Sequence, residues 1–491
     1  MIFKINILCH PVSGTVVIPH RNSDLLPRCC GRGRCVVKDH SNRSIWAVAL
    51  RLACLLAVPL AGCGGGGSSQ MPVAAAPIIS QFAADKASYF VGERAQLRAE
   101  FANGTGHVQP GNIAILSGQT ITTPVLAAST KFQLTVEGAS TSVTRELRLG
   151  VSYRERMRAT AMPFARARHA AVTMNDGRVL IVGGVDESDL VSRAMYIFDP
   201  SSETFSPFGS LLAGRIGFVA VALPDGNVLV LGGGSGDPGS VLIDAHTGAL
   251  SQTANSPHSV RVFATGTLLT NGKVLIVGGL NDTTPDPSAE LYDPMTRTFS
   301  LLSSSLTVPR YSHTALMAKD GRVFIYGGVS GDGQAAPPEL FDPATGTFTK
   351  LNVAESNTRA NHTAVAMSNG TIWIAGGDDG TSALTAVIQF DVVSGALRRT
   401  LDLAMPRTDL AAAALTDGRV LIAGGAADSS LQQITDSSEL FDSATALRSA
   451  GPAMSTPRSL QTMTLLSNGK VLITGGIDEG HHALASAEIF E

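Results

Sequence analysis

Two residue types recur at matched places and could do chemistry together. The arginines are Arg166, Arg215, Arg261, Arg310, Arg359, Arg407 and Arg458. The aspartates are Asp186, Asp237, Asp282, Asp332, Asp378, Asp428 and Asp478. A guanidinium fork matches a carboxylate bidentately, so the structural expectation is bracing between neighbouring units. Aspartate is also a turn former. The chemical expectation is an acidic ligand face that takes a cation or a polyhydroxylated molecule. Calcium could sit there only if roughly six to eight oxygens converged. His169, His313 and His362 each stand three residues after an arginine, in separate units, which favours structural hydrogen bonds over a shared metal. His481 and His482 fall in the last loop and are expected to be exposed. No residue is assigned as catalytic and none as a metal ligand. A cluster of two or three of Arg215, Asp282, Asp378, Asp428 and His481 in a deep pocket would instead signal catalysis. Gly-x-Ser-x-Gly, His-Glu-x-x-His and phosphate-loop patterns are absent.

The elements that must position these side chains are legible as an internal repeat. A Gly-Gly doublet begins at 183, 232, 278, 327, 376, 424 and 475. Asp-Gly or Asn-Gly stands seven residues before each doublet, and an arginine ten residues before that. Each repeat reads as four strands. His313–Met317 exemplifies the first, followed by a two-residue hairpin turn with positive φ. Val179–Val182 exemplifies the second, apolar throughout because both faces are covered. Gly-Gly ends it where neighbours leave no room for Cβ. Glu290-Leu291-Tyr292-Asp293-Pro294 gives the third strand and a turn, and Thr298-Phe299-Ser300 opens the fourth. The seventh repeat stops inside its third strand, at Glu491. Residues 156–162 match the segment before repeat 7, so they are expected to supply the missing fourth strand and remove two free edges.

This Arg…His…Asp-Gly…Gly-Gly…Glu-Leu-Tyr-Asp-Pro pattern resembles the kelch repeat of bacterial kelch proteins. The resemblance covers about 340 residues and implies a seven-bladed kelch-type β-propeller over 153–491. The tryptophan usual in the fourth strand is replaced by Phe205, Phe299, Phe348, Leu250, Leu397 or Leu447. Galactose-oxidase-like kelch enzymes need a Cys–Tyr crosslink, and no cysteine follows Cys63, so that copper cofactor cannot form here. Some periplasmic kelch propellers act as sialic-acid mutarotases, a likeness of fold alone.

Residues 73–152 read as a small β-sandwich. Ala95, Leu97, Ala99 and Phe101 alternate with polar neighbours, as do Phe132, Leu134 and Val136. The segment resembles a bacterial immunoglobulin-like domain without its Cys pair or core Trp, and a spacer role is expected. Upstream, Arg43 and Arg51 precede the apolar run Leu52–Leu60, then Ala61, Gly62 and Cys63. That order describes a secretory signal, too short to span a bilayer. Leu60-Ala61-Gly62-Cys63 resembles a lipobox, implying a signal segment over 1–62, lipidation of Cys63 and a Gly/Ser tether over 63–72. Gly64, being no aspartate, implies the outer membrane in that family. About 40 residues precede Arg43, more than an n-region holds, which points to a start near Val36 or Val37.

Composition sets the remaining bounds. The chain has 491 residues, 51 of them glycine, with 5% aromatic and 16% charged side chains. That suits an all-β protein rich in tight turns. Residues 1–62 hold eight basic and two acidic side chains, for +6; the rest hold 29 and 38, for -9. An acidic mature chain offers nothing to nucleic acid. The expected function is a lipid-anchored protein of the bacterial cell envelope, periplasmic or surface-facing. It binds a protein or glycan through its loops and uses no cofactor, unless calcium. The rival reading is a carbohydrate-active enzyme, isomerase- or mutarotase-like.

Overall fold

The protein is described from a computed structural model, which covers residues 6–9, 35–38, 75–234, 239–331, 336–353 and 359–491. Cys63 with its apolar run and tether, Asp237 and Asp332 lie outside the described residues. The chain divides into two units, Met1–Val73 and Ala74–Glu491. In the first, Asn6–Cys9 pairs antiparallel with Cys35–Lys38. The second contains everything that follows. Among the described residues there is no helix long and apolar enough to cross a membrane.

The second unit opens with two β-sheets on one core. Ile78–Ala84, Gln96–Ala102 and Thr120–Thr122 form one sheet. Ser88–Phe90, Ser142–Ser152, Thr130–Glu137, Thr105–Gln109 and Ile113–Ile115 form the other, in that order. The alternation read from sequence is the burial pattern: Leu97, Ala99, Leu134 and Val136 are completely buried while their neighbours face outward.

Seven four-stranded antiparallel sheets follow among the described residues, one for each repeat. The first strands of successive repeats contact one another in a closed cycle. Ala170–Thr173 touches Val219–Ala222 on one side and Thr462–Leu465 of repeat 7 on the other. Second strands such as Val323–Tyr326 are buried at every position, since neighbouring sheets cover both faces. In repeat 7 the outermost strand is Met157–Ala161, which pairs antiparallel with Ser486–Phe490. Arg156 and Lys470 close this seam on the carboxylate of Glu491, and Arg158 reaches Glu203. Outer strands carry the residues that stand in for tryptophan. Phe299 packs on Tyr292 and Phe348 on Phe341, with ring centroids 4.8 and 4.9 Å apart.

The Gly-Gly doublet is the joint between neighbouring sheets. Both glycines have positive φ, 66° and 82° at Gly183 and Gly184. A Cβ on the first would press into the backbone carbonyl of the next repeat's arginine. The second donates its amide to that same carbonyl: Gly184 to Arg215 at 2.8 Å, and Gly476 of repeat 7 back to Arg166 at 2.9 Å. An alanine would keep neither the φ nor the approach.

The sandwich is seated on the Asp/Asn-Gly turns of repeats 6 and 7. Tyr153 is 6% exposed, donates to the Gly469 carbonyl at 2.7 Å and stacks on Phe490. Thr416 Oγ1 donates to the Ala127 carbonyl at 2.7 Å. Val91 and Leu126 share one buried cluster with Leu415 and Val471. The module is therefore packed against the repeats, not strung before them. It occupies the end opposite the loops that follow Gly-Gly.

Candidate functional site

The repeat arginines are buried posts beneath the loops, each at most 5% exposed. From repeat 2 onward each Nη1 donates to the carbonyl of the first glycine of its own doublet, as Arg215 does to Gly232 at 2.7 Å and Arg458 to Gly475 at 2.8 Å. In four repeats Nη2 also meets a buried glutamate of the third strand. The pairs are Arg261–Glu290, Arg310–Glu339, Arg407–Glu439 and Arg458–Glu488, at 2.6, 2.5, 2.8 and 3.0 Å. Burial pushes the Arg310 guanidinium below its ordinary pKa while Glu339 acts against that shift. Each glutamate accepts further from the loop before its arginine, as from the amides of His258, Thr307, Ala404 and Ser455.

In these four repeats the carboxylate partner of the arginine is the third-strand glutamate, not the expected loop aspartate of a neighbouring unit. The third-strand glutamate of the same repeat wins because it lies in register beside the arginine. Asp286 comes within 3.7 Å of Arg261, but it is not one of the seven. The loop aspartates mostly shape turns. Asp186 accepts from the amides of Ser188 and Leu190, Asp428 from the Ser430 hydroxyl and the Gln432 amide, and Asp478 from the His482 amide. Asp282 is exposed at a φ of 53° between Leu280–Asn281 and Thr284–Pro285. Asp378 alone among those described is buried, at 6% exposure. It accepts from Asn361 Nδ2 and from Thr408 of the next repeat, both at 2.8 Å. His481 is an exposed loop residue whose Nε2 lies 2.9 Å from Gln432 Nε2. Among the described residues no three His, Cys, Asp or Glu side chains come together as a metal site.

His169, His313 and His362 join neighbouring first strands. Nε2 of His313 meets Thr265 at 2.8 Å, Nε2 of His362 meets Thr314 at 2.9 Å, and that of His169 meets Thr462 of repeat 7 at 3.0 Å. Burial, aided by the nearby repeat arginine, pushes each imidazole down to about 3, so all three are neutral at physiological pH.

The residues that line the central channel are others, and sequence reasoning passed over them. Two positions after each repeat arginine stand Arg168, Gly217, Phe263, Ser312, Asn361, Asp409 and Leu460. All seven are left-handed, with φ between 52° and 63°. Five of them donate their amide to the carbonyl of the preceding member, as Asp409 to Asn361 at 3.0 Å, Leu460 to Asp409 at 3.1 Å and Arg168 to Leu460 at 3.3 Å. The result is a collar of backbone at the channel mouth. Among the described residues it lacks two links, Gly217 to Arg168 and Asn361 to Ser312. The cavity inside holds about 380 Å³. Phe218, Phe263, Ile216 and Leu410 give it an apolar wall; Arg168, Asn361, Ser312 and Asp409 give it a polar one. Burial raises the Asp409 carboxyl to about 6, against the lowering by Arg168, and Asp378 adds to the rise. None of Arg215, Asp282, Asp378, Asp428 and His481 lines this cavity. The available signal was the set of turn-tolerant residues at one offset, Gly217, Ser312, Asn361 and Asp409.

The same end of the molecule carries an apolar groove over repeats 1–3. Val191, Ala213, Gly214, Ile216, Val262 and Phe263 line it. Leu190 and Leu212 stand beside it, 65% and 73% exposed.

Comparison with known proteins agrees with this geometry. Residues 264–476 match the KLHDC2/KLHL20/DRC7 Kelch-repeats domain, and residues 165–211 match the Kelch motif. No curated protein matches the chain. Among solved structures, a fungal alcohol oxidase of the AA5 family, in complex with copper, is similar with a TM-score of 0.57. It is 16% identical, over 68% of this chain and 75% of that one, a likeness of fold only. Kelch-repeat domains thus make up this part of the chain, on an all-β fold consistent with a β-propeller.

Proposed function

We propose that this chain is an envelope protein, anchored through a lipidated Cys63, whose seven-bladed propeller stands on an immunoglobulin-like base and binds a partner protein with its loop end. Kelch repeats suggest a protein-interaction propeller. The observation that carries the reading is the groove of repeats 1–3 with Leu190, Val191, Leu212 and Phe263 exposed around it. Clustered exposed apolar side chains on a rigid frame mark an interaction surface. Glu187, Asp189 and Asp282 are exposed on the loops beside it, so the fitting partner presents an apolar anchor flanked by basic residues. Lipidation and the outer membrane rest on the lipobox pattern alone, and mass spectrometry of the mature N-terminus checks them.

Site-specific photo-crosslinking tests the binding reading. A crosslinker at Leu212 should give one dominant protein adduct in intact cells. The same group at Met295, 91% exposed at the opposite end, should not. Equal labelling from both positions, or an adduct that survives Leu190→Glu with Val191→Glu, would overturn it.

A carbohydrate-active enzyme is the second reading, and one observation favours it: a carboxyl raised to about 6 faces the channel, where a general acid–base could work. Sugar turnover abolished by Asp409→Asn in a folded protein would support it over the first.

A further inference from the structure

We infer that the channel mouth binds a small hydroxycarboxylate, its carboxylate on the Arg168 guanidinium and a hydroxyl on the Asp409 carboxyl. The site is separate from the apolar groove and does not depend on the partner proposed for it. Three features of the cavity single it out.

Arg168 is the first. Its side chain is exposed and lines the cavity. Among the described residues it makes no side-chain hydrogen bond and no ion pair, unlike the buried arginines around it. Its backbone is held left-handed at a φ of 53°, a conformation that costs an arginine of order 1 kcal/mol or more. A strained, solvent-facing guanidinium fork is suited to take a carboxylate bidentately.

The second is a set of unanswered polar atoms. His169, His362 and Gln461 line the same cavity and are 6%, 8% and 7% exposed. Nδ1 of each histidine and Oε1 of the glutamine are buried without a hydrogen-bond partner. These atoms have almost no accessible surface, and Nδ1 of His313, outside the cavity, is orphaned in the same way, so they belong to the repeat and are not offered to a ligand. The two open links of the collar instead offer the amides of Gly217 and Asn361, which among the described residues find no partner either. A ligand hydroxyl can accept from these two amides.

The third is the balance of charge. Asp378 is already engaged by Asn361 and Thr408, so its carboxylate is not offered to the channel. Asp409 faces Arg168 from one side and Asp378 from the other, and burial favours its neutral form. Above about pH 6 the Asp409 carboxyl is ionised and accepts from a ligand hydroxyl, while the Arg168 guanidinium, which no carboxylate engages among the described residues, is left for a ligand carboxylate. Phe218 and Phe263 supply an apolar wall for the carbon skeleton. A volume of about 380 Å³ admits a molecule of around a dozen heavy atoms.

Gluconate and glucitol test this directly, because they differ only in carboxylate against hydroxymethyl. Isothermal titration calorimetry on the full chain should show gluconate binding about tenfold or more tightly than glucitol, as a charge-assisted fork predicts. Arg168→Gln should remove that advantage without changing the unfolding temperature, and Arg168→Lys should restore only part of it. Arg193→Gln, an exposed arginine outside the cavity, should change nothing. Equal affinity for the two probes, no binding of gluconate, or gluconate binding unaltered in Arg168→Gln would each overturn the assignment.

Discussion

Repeats 3, 4, 6 and 7 and repeats 1, 2 and 5 build the same sheet around the same arginine, yet differ at one register position. Where Ile276, Ile325, Ile422 and Ile473 of the second strand face Glu290, Glu339, Glu439 and Glu488, the corresponding partners in repeats 1, 2 and 5 are Tyr196, Val241 and Ile388. In the first group the buried glutamate holds both the arginine and the loop before it. In the second, no glutamate stands at this register position to hold that loop. Repeat 1 substitutes aromatic packing: Phe164 stacks on Tyr196 with centroids 3.7 Å apart and lies 5.4 Å from the Arg166 guanidinium. Nη1 of Arg166 has no hydrogen-bond partner. The difference teaches which part of the arginine's work is general. From repeat 2 onward it holds the Gly-Gly carbonyl, and the glutamate is an addition. Leu190, Val191 and Leu212 belong to repeats 1 and 2, which lack the glutamate, and Val260 and Phe263 to repeat 3, which has it.

The sharpest way to break this comparison is to remove one glutamate. Glu339→Ala leaves Arg310 buried without its carboxylate and frees the Thr307 amide, and should cost about 3–5 kcal/mol in urea unfolding. A loss below about 1 kcal/mol would mean that the glutamate repeats are no better braced than the others.

Asp409 gives an intermediate effect, read through pH. Its folded pKa, about 6, lies above the ordinary 3.8. The folded state therefore holds its proton more tightly than the unfolded chain. That contribution is complete below about pH 4 and lost as pH rises through 6. Asp409→Asn should stabilise the protein at pH 8 by roughly 1–2 kcal/mol, after discounting for partial exposure. At pH 4 it should match the parent. A gain of the same size at both pH values would remove the carboxyl's titration as its cause.

The smallest effect is expected from converting one group into the other. Tyr196→Glu gives Arg166 a carboxylate in the register of Glu290 but removes the stack on Phe164. Burying a new pair about balances its desolvation, so the change should lie within about 1 kcal/mol. A gain well beyond that would show that repeat 1 is deficient, not differently built.

Much of the architecture was legible because it depends on local chemistry. Asp-Gly and Asn-Gly turns, four-residue apolar strands and the Gly-Gly doublet each require a residue type at a fixed offset. Seven copies make such signals unmistakable, and the pairing of 156–162 with the last strand followed from counting strands. What the sequence could not decide was which charge meets which. Arg310 and Glu339 are 29 residues apart, and Asp332 lies between them in the chain. Only the register of Val323–Tyr326 on Glu339–Asp342 places the glutamate beside the guanidinium. The channel mouth was hidden for a related reason. Arg168 and Asp409 are unremarkable in their own repeats and acquire meaning only when seven first strands close into a cycle. That closure sets the two facing one cavity from repeats five places apart in the chain. Local geometry is written residue by residue, whereas the pairing of side chains from distant repeats exists only once the ring is shut.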